Sequence, residues 1–581
     1  MKSKLKVFLV LCFLLNNLLY SQVYSKMQMI PAENWIYDAI STLKREEKSV
    51  DILDSAPLSV GELYENFISI NYENLSPETQ KLFDEVSEFF EYQKGIIDFK
   101  PIKVSFNLSL YPEFLYKSNP DIDWTFATDN TGKMVYNYEK NEYQKQNYGA
   151  ASNFFFNPLA RPFLTIPFYL NFSDYICIQS DFFVGKSFSG FDKNNNLTNI
   201  TFNAGELDYL WPDYAYAACG YLFKNGLGVD LQIGRQGMQF GRTLTGSIIY
   251  NNTFQTDSFI KLNLYSKNFR LNTNIVQVYT NHYLYLHSLE FIPFKWIRLG
   301  VIEGTYLDQP FEIKYLNPLM IFHSFQTWNL YNSELESKYY RESHTCAYMG
   351  ITFDVVPFKG ARIYGLFAQT EIQPPNELGD EYGRTLPNGV GFQLGSEYTL
   401  PISQGYLKFA GEGFYLSPYL YIKQSDEWSL CSKNISGVYT WIGSPVGPDS
   451  AGFELSCSYK WIKKLDAGIK YLFVAHGENS FGMFKNSYTN SDGTWAAFFP
   501  SVLKHLGLIS QEQAETIARD MGLSGTIQYT NQIMLNASYQ LNKHFIFDSS
   551  LIYCFIFNNK NIENYFSHGI QFTTGCELRL F

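Results

Sequence analysis

The amino-acid sequence predicts an all-β transmembrane β-barrel with a small N-terminal α-helical domain, and three observations carry that reading. Period-two alternation of apolar and polar residues continues over residues 99–581 with no interposed α/β pattern, a run longer than one soluble sandwich needs. Aromatic clusters such as Tyr279–Tyr285 and Tyr415–Tyr421 flank strand-like windows, as interfacial belts do. The chain also closes on a strand-like Phe572–Phe581 with a terminal Phe, the residue typical of bacterial outer-membrane barrels.

Composition narrows the classes. Of 581 residues, Phe 50, Tyr 44 and Trp 9 make 18% aromatic, against 17% charged. Mean hydropathy is −0.18, which excludes a helical membrane protein. Collagen-like, disordered and coiled-coil chains need compositions absent here. A net charge of −11 argues against a nucleic-acid partner, because phosphate binding needs a basic footprint.

The elements follow in order. Lys2, Lys4 and Lys6 precede an apolar run from Val7 to Leu15, and small polar residues follow near Ser21. This reads as a signal peptide over residues 1–25, too short in its apolar part to span a bilayer. It implies export, and together with the barrel pattern the outer membrane of a diderm (Gram-negative-type) bacterium, with lipid and the β-barrel assembly machinery as partners.

Residues 26–98 hold 15 acidic and 6 basic residues and read as a periplasmic helical segment. Ile36, Ala39, Ile40 and Leu43 recur at helical spacing. Ser59-Val60-Gly61-Glu62 has capping-box form, and Ser76-Pro77-Glu78 offers an N-cap, a proline at N1 and an acid in the first turn. Deleting this segment is expected to leave barrel assembly largely intact.

Residues 99–581 form the barrel region. Leu465, Ala467, Ile469, Tyr471 and Phe473 share a face, opposite Asp466, Gly468 and Lys470. The windows 453–459, 534–541 and 260–265 alternate in the same way. A soluble sandwich gives the same alternation, so length and aromatic placement decide. Strands of about ten residues plus turns leave room for about 16–20 of them. Phe572, Thr574, Cys576, Leu578 and Leu580 make the last apolar face, while Phe581 has the parity of Glu577 and Arg579.

Residues 478–525 interrupt the strand pattern as an insertion. Ser510-Gln511-Glu512-Gln513 is a capping box, and Ala514, Ile517, Ala518 and Met521 form a helical stripe closed by Gly522. Such a helix fits three places: inside the lumen, over the mouth, or outside as a lid.

Chemistry is sparse. The eight histidines form no HExxH or metal-spaced pair, and no GxSxG elbow, Walker loop or dinucleotide fingerprint stands in its required context. The eight cysteines show no CxxC spacing. No cofactor, metal or catalytic residue is expected. Sugar binding needs aromatic faces beside carboxylates or amides. Loop-like segments that combine them are Trp211-Pro212-Asp213-Tyr214, Asp426-Glu427-Trp428 and Asp492-Gly493-Thr494-Trp495. Trp211, Asp213, Tyr214, Trp428 and Trp495 are therefore the carbohydrate-binding candidates. Arg235, Arg242, Glu290, Glu303 and Arg362 are the polar lumen candidates.

Several segments resemble the Wzi family of capsule-assembly outer-membrane proteins. They are Ile30-Pro31-Ala32-Glu33-Asn34-Trp35-Ile36-Tyr37-Asp38, Ile233-Gly234-Arg235-Gln236, Phe240-Gly241-Arg242 and Gly246–Asn252. Leu286-His287-Ser288-Leu289-Glu290, Tyr315-Leu316-Asn317-Pro318-Leu319 and Val356–Gly365 are also similar to family segments. Ser288 stands where relatives have a basic residue, and Thr370-Glu371 where they often carry Asp-Glu. The similarity fades after about residue 425. It implies a monomeric barrel of about eighteen strands with a periplasmic helical bundle. It further implies a non-catalytic, lectin-like role on surface polysaccharide. A porin or nutrient channel and a barrel hydrolase stand as the other expectations.

Overall fold

The computed structural model describes residues 25–91, 97–99, 102–119, 133–137, 142–146, 162–186, 198–200, 207–210, 214–254, 256–308, 310–311, 313–317, 321, 345–373, 379, 381–423, 429–433, 439–479, 499–505 and 507–579. The expected signal peptide up to residue 24, the terminal Phe581, and Trp211, Asp213, Trp428 and Trp495 lie outside the described residues.

Eighteen antiparallel strands close into a barrel. The first, β1, is broken into Ile102–Phe106, Ser109–Leu110 and Glu113–Lys117. Next come β2 (Leu164–Phe172), β3 (Ile176–Lys186), β4 (Leu207–Leu210 with Ala215–Leu222), β5 (Gly228–Arg235) and β6 (Ser258–Ser266). They are followed by β7 (Phe269–Tyr279), β8 (His282–Phe294), β9 (Ile297–Asp308), β10 (Thr345–Val355), β11 (Ala361–Glu371) and β12 (Gly389–Ile402). The last six are β13 (Gly405–Leu416), β14 (Ser450–Trp461), β15 (Leu465–His476), β16 (Gln528–Asn542), β17 (Phe545–Phe557) and β18 (Ser567–Arg579). Each strand pairs with its sequence neighbour, and β1 closes the ring. Ile102–Phe106 pairs with β2, and Glu113–Lys117 pairs with β18. Closure leaves no sheet edge, which is what lipid requires of a β-structure.

The faces of these strands are inverted relative to a water-soluble protein. In β6, Ile260, Leu262 and Leu264 are 40%, 44% and 38% exposed, while Lys261 and Asn263 between them are fully buried. In β16, Leu535, Tyr539 and Leu541 point outward with Ile533. In β18, Ile570 and Phe572 are exposed while Gln571 and Thr573 are buried. A charged interior inside a continuous apolar wall is stable only where the outside is lipid. This inversion, absent from the bare alternation, separates barrel from sandwich.

Three helices precede the barrel: α1 (Trp35–Glu46), α2 (Val60–Ile68) and α3 (Pro77–Glu91). Asn34 caps α1 by accepting from Ile36 N, and Ser59 caps α2 by accepting from Glu62 N. Their apolar faces pack together through Ile36, Ile40, Leu43, Leu63, Phe67, Leu82, Val86 and Phe90. The bundle sits at the end where strands join by short turns. Val50 N donates to Lys295 O (3.0 Å), Gly360 N to Arg45 O (3.0 Å) and Lys463 Nζ to Glu88 (2.7 Å). In outer-membrane barrels the short turns mark the periplasmic end.

Part of the N-terminal segment enters the lumen. The backbone of Met29 meets the Tyr216 hydroxyl of β4, and Ser55–Ala56 pairs with Gln239–Phe240. Residues 236–257, between β5 and β6, come from the opposite, long-loop end and meet the N-terminal segment inside the barrel. Met238, Phe240, Ile248, Ile249, Tyr250 and Phe254 from this loop are almost fully buried. The loop between β13 and β14 joins them: Tyr421 Oη donates to Ile248 O (2.5 Å), and Asn251 N to Ile442 O (2.7 Å). Leu472, Val474, Cys554 and Ile556 of the late strands complete the same core. The loop-end half of the lumen is therefore packed with protein. Toward the short-turn end, the inward faces of the late strands carry Asp466, Lys470, Asn536 and Ser538, which keep contact with water.

Candidate functional site at the closed mouth

The plug is held by buried charge. Arg242, from the inserted loop, donates to Tyr37 O (2.9 Å) and Ser41 Oγ (2.8 Å) and pairs with Asp51 (3.2 Å). Arg270 on β7 pairs with Glu62 of α2 and with Glu290 of β8 (3.0 Å). Arg298 on β9 contacts Asp54, Glu290 and Asp354. Arg362 on β11 bonds Asp354 and Glu397 (2.6 Å), and Glu397 also takes Arg45 (2.8 Å) and Lys408 (2.8 Å). Every buried charge named here faces an opposite one, as burial demands. Burial pushes the Asp51 carboxyl up, but Arg242 and Arg362 outweigh it and hold it below its usual 3.8.

Three of the five lumen candidates, Arg242, Glu290 and Arg362, thus come together in one network. The other two do not. Ile302 and Gly304 face the core of the lumen, so Glu303 between them faces outward, opposite His287 of the neighbouring strand (3.9 Å). Arg235 likewise lies on the outward parity of β5, exposed at its loop end. A charge in a strand does not by itself show which face it takes; strand parity makes that assignment. Tyr214 precedes the longer part of β4, and its hydroxyl donates to Glu33 of the N-terminal segment (3.1 Å).

Above the plug, the mouth is covered by the insertion. Two helices, α5 (Pro500–His505) and α6 (Gln511–Arg519), pack on each other, and α6 also packs on α4 (Glu381–Arg384) from the loop between β11 and β12, which precedes them in the chain. Ser510 and Gln513 form both halves of the capping box that the sequence predicts. Ala514 and Ala518 are buried beneath α6, while Ile517 of the predicted stripe is exposed. Arg384 Nε donates to Glu515 Oε1 (2.8 Å), and Arg519 to Gly383 O (3.0 Å). Hydrogen bonds from Gln511 and Arg384 hold the Glu515 carboxyl below its usual range. Phe499 extends into the core edge-on to Tyr419 (5.7 Å).

Asp449, fully buried, fastens the insertion to the barrel. It accepts from Asn479 N (2.8 Å), from Ser524 N (3.0 Å) and from the Ser524 hydroxyl. Asn561, from the loop between β17 and β18, donates to His476 O, Gly477 O and Thr526 O, tying a second loop to the first. No sequence motif marked Asp449 or Asn561, because each acts through long-range backbone contacts. The mouth presents Glu512, Gln513, Thr516 and Ile517 on α6, Asp520 just after it, and Ile562, Glu563, Asn564, Tyr565 and Phe566 on the last loop, polar groups beside apolar ones. Carboxylates and amides beside an aromatic ring suit a hydroxyl-rich partner. Among the described residues, no group of three or more His, Cys, Asp or Glu is placed to hold a metal ion.

Against known proteins, no family model and no curated relative matches the sequence. Solved structures do match. Wzi of Escherichia coli, an outer-membrane protein involved in group 1 capsule assembly and a carbohydrate-binding β-barrel, aligns with a TM-score of 0.55 at 10% identity. That alignment covers 95% of this chain and 99% of Wzi. The outer-membrane channel DcaP of Acinetobacter baumannii aligns at 0.33 and 8% identity, over 84% of this chain and 99% of that one. OprD of Pseudomonas aeruginosa aligns at 0.36 and 8%, over 82% and 96%. The chain is an eighteen-stranded barrel of the outer-membrane type that shares its fold with Wzi.

Proposed function

We propose that this protein is a non-catalytic outer-membrane barrel, a divergent member of the Wzi-like group, that holds exported polysaccharide at its loop face. The observation that carries the reading is the packed loop-end half of the lumen. The N-terminal segment, residues 236–257 and the loop between β13 and β14 fill space that a solute channel would leave open. A barrel so filled works through its surface. The fold it shares with a carbohydrate-binding barrel, and the carboxylates, amides and Tyr565 on the mouth, support a glycan as partner. Trp428 and Trp495 remain the sequence-based candidates for stacking on sugar rings, with Trp211 and Asp213 beside them.

A second reading, a gated channel, is favoured by one observation. The inward faces of β14 to β16 are polar and wet near the short-turn end, as a vestibule is. The two readings part on a direct test. Purified protein is screened against cell-surface glycans from its own host, with lumen conductance recorded in parallel. Glycan binding without conductance supports the surface role; conductance without glycan binding supports the channel.

A further inference from the structure

Eight short turns, from the one joining β2 to β3 to the one joining β16 to β17, close the hairpins at the bundle end of the barrel. Between them they hold seven lysines and one acid, Asp174, although the chain as a whole is charged −11. Two of the lysines serve the helical bundle: Lys359 Nζ pairs with Glu46 (3.1 Å) and Lys463 Nζ with Glu88 (2.7 Å). Lys224, Lys267, Lys295 and Lys464 are exposed, and their ammonium groups meet no carboxylate among the described residues. Ile292 N donates to Asn268 O (2.9 Å), fastening the turn of Lys267 to the strand that ends beside Lys295, so these two stand on adjoining turns. Aromatic rings share their level. Phe223, Trp296, Phe358 and Trp461 are each exposed within two residues of a turn lysine, and Phe294 stacks on Trp296 with ring centroids 6.0 Å apart. Exposed aromatics at the end of a lipid-facing wall mark the membrane interface, so the lysines beside them lie at the depth of the headgroups.

We propose that these lysines form a cationic rim that gathers anionic phospholipids, of the phosphatidylglycerol kind, in the leaflet at the short-turn end. Consecutive short turns are two strand spacings, about 10 Å or more, apart around the rim, so each exposed ammonium meets a headgroup of its own. A headgroup of net negative charge answers the lysine, whereas a zwitterionic one brings an ammonium of its own that opposes it. A soluble anion finds the same lysines but leaves the aromatic surface without the glycerol and first methylenes that a lipid lays on it. The rim is independent of any glycan at the opposite end.

The test is native mass spectrometry of the full chain released from micelles holding phosphatidylglycerol, phosphatidylethanolamine and phosphatidylcholine of identical acyl chains. Phosphatidylglycerol is expected to be retained about fivefold over either zwitterionic lipid, the worth of one lysine near a charged surface. Equilibration in about 1 M ammonium acetate, where screening reaches within about 3 Å, narrows that preference. The variant combining Lys224→Gln, Lys267→Gln, Lys295→Gln and Lys464→Gln abolishes it, and Lys267→Gln with Lys295→Gln removes part of it. If the fourfold variant lacks the heat-modifiable gel mobility of a folded barrel, the double variant carries the test. Equal retention of the three lipids, a preference indifferent to salt, or one unchanged in the folded variants overturns the proposal. So does displacement of the lipid by equimolar glycerol phosphate, which would make the ligand a soluble anion.

Discussion

Arg242 is the residue through which the inserted loop grips the N-terminal segment, and replacing it tests the plug. In Arg242→Met, Tyr37 O and Ser41 Oγ lose their donor and Asp51 loses its ion pair, while the aliphatic stem still packs. Removing one partner of a buried pair costs about 3–5 kcal/mol. Asp51 keeps some help from Arg362, so the lower figure, about 3 kcal/mol, applies. That is roughly a hundredfold in the equilibrium between docked and released plug. The assay is amide hydrogen exchange in lipid nanodiscs over residues 50–56 and 239–241. These include Gly241 N, which donates to Asp54 O (3.1 Å), and the Ser55–Phe240 pairing. Exchange there should quicken by about two orders of magnitude while the strands of the wall stay protected. Adding Asp51→Asn should recover part of the loss, because the orphaned charge is gone. Unchanged exchange over these residues in Arg242→Met, or no recovery in the double variant, would refute the reasoning.

Three further outcomes follow from the same network. The Asp51 carboxyl is depressed in the folded state, so its contribution is full from about pH 5 upward and is lost as pH falls through the folded value, below 3.8. Acid should therefore release residues 50–56 in exchange experiments, and Asp51→Asn should flatten that dependence. Asp449→Ala takes the acceptor from Ser524 N and leaves Asn479 N only the Ser524 hydroxyl (3.2 Å), a loss of about 1–3 kcal/mol. Limited proteolysis should then cut within residues 507–527 while the barrel stays intact. Deleting residues 26–91 strips Arg270, Arg298 and Arg362 of partners on the N-terminal segment, and the truncated barrel should lose heat-modifiable mobility at lower temperature than the full chain.

The strands were legible because lipid on one side and a polar lumen on the other impose period two on every strand, and β15, β16 and β18 carry it plainly. The helices were legible from local signals: the caps Ser59 and Ser510, and the helical spacing of Ile36, Ala39, Ile40 and Leu43. The plug was not. The described residues of 236–257 form no strand or helix of ordinary length, and their burial depends on partners more than a hundred residues away, such as Gln393, Glu412 and Tyr421. Glu412 illustrates this: it accepts from Leu244 N (2.8 Å), Thr245 N (2.9 Å) and Tyr364 Oη (2.5 Å), none of them near it in sequence. Glu62 shows a local signal overridden. Its position promised the second half of a capping box, yet the carboxylate turns to Arg270 on the wall instead. The expectation that deleting residues 26–98 leaves barrel assembly largely intact rests on the pattern of that acidic segment alone, and the truncation above tests it. Its acids face arginines of the barrel, which no local pattern reveals.

The central claim is that the chain closes its own lumen. Single-channel recording of the full-length protein in planar bilayers tests it most directly. The structure predicts a flat baseline, with conductance appearing only in variants such as Arg242→Met that loosen the plug. Steady, large single-channel currents from the unmodified protein would contradict it.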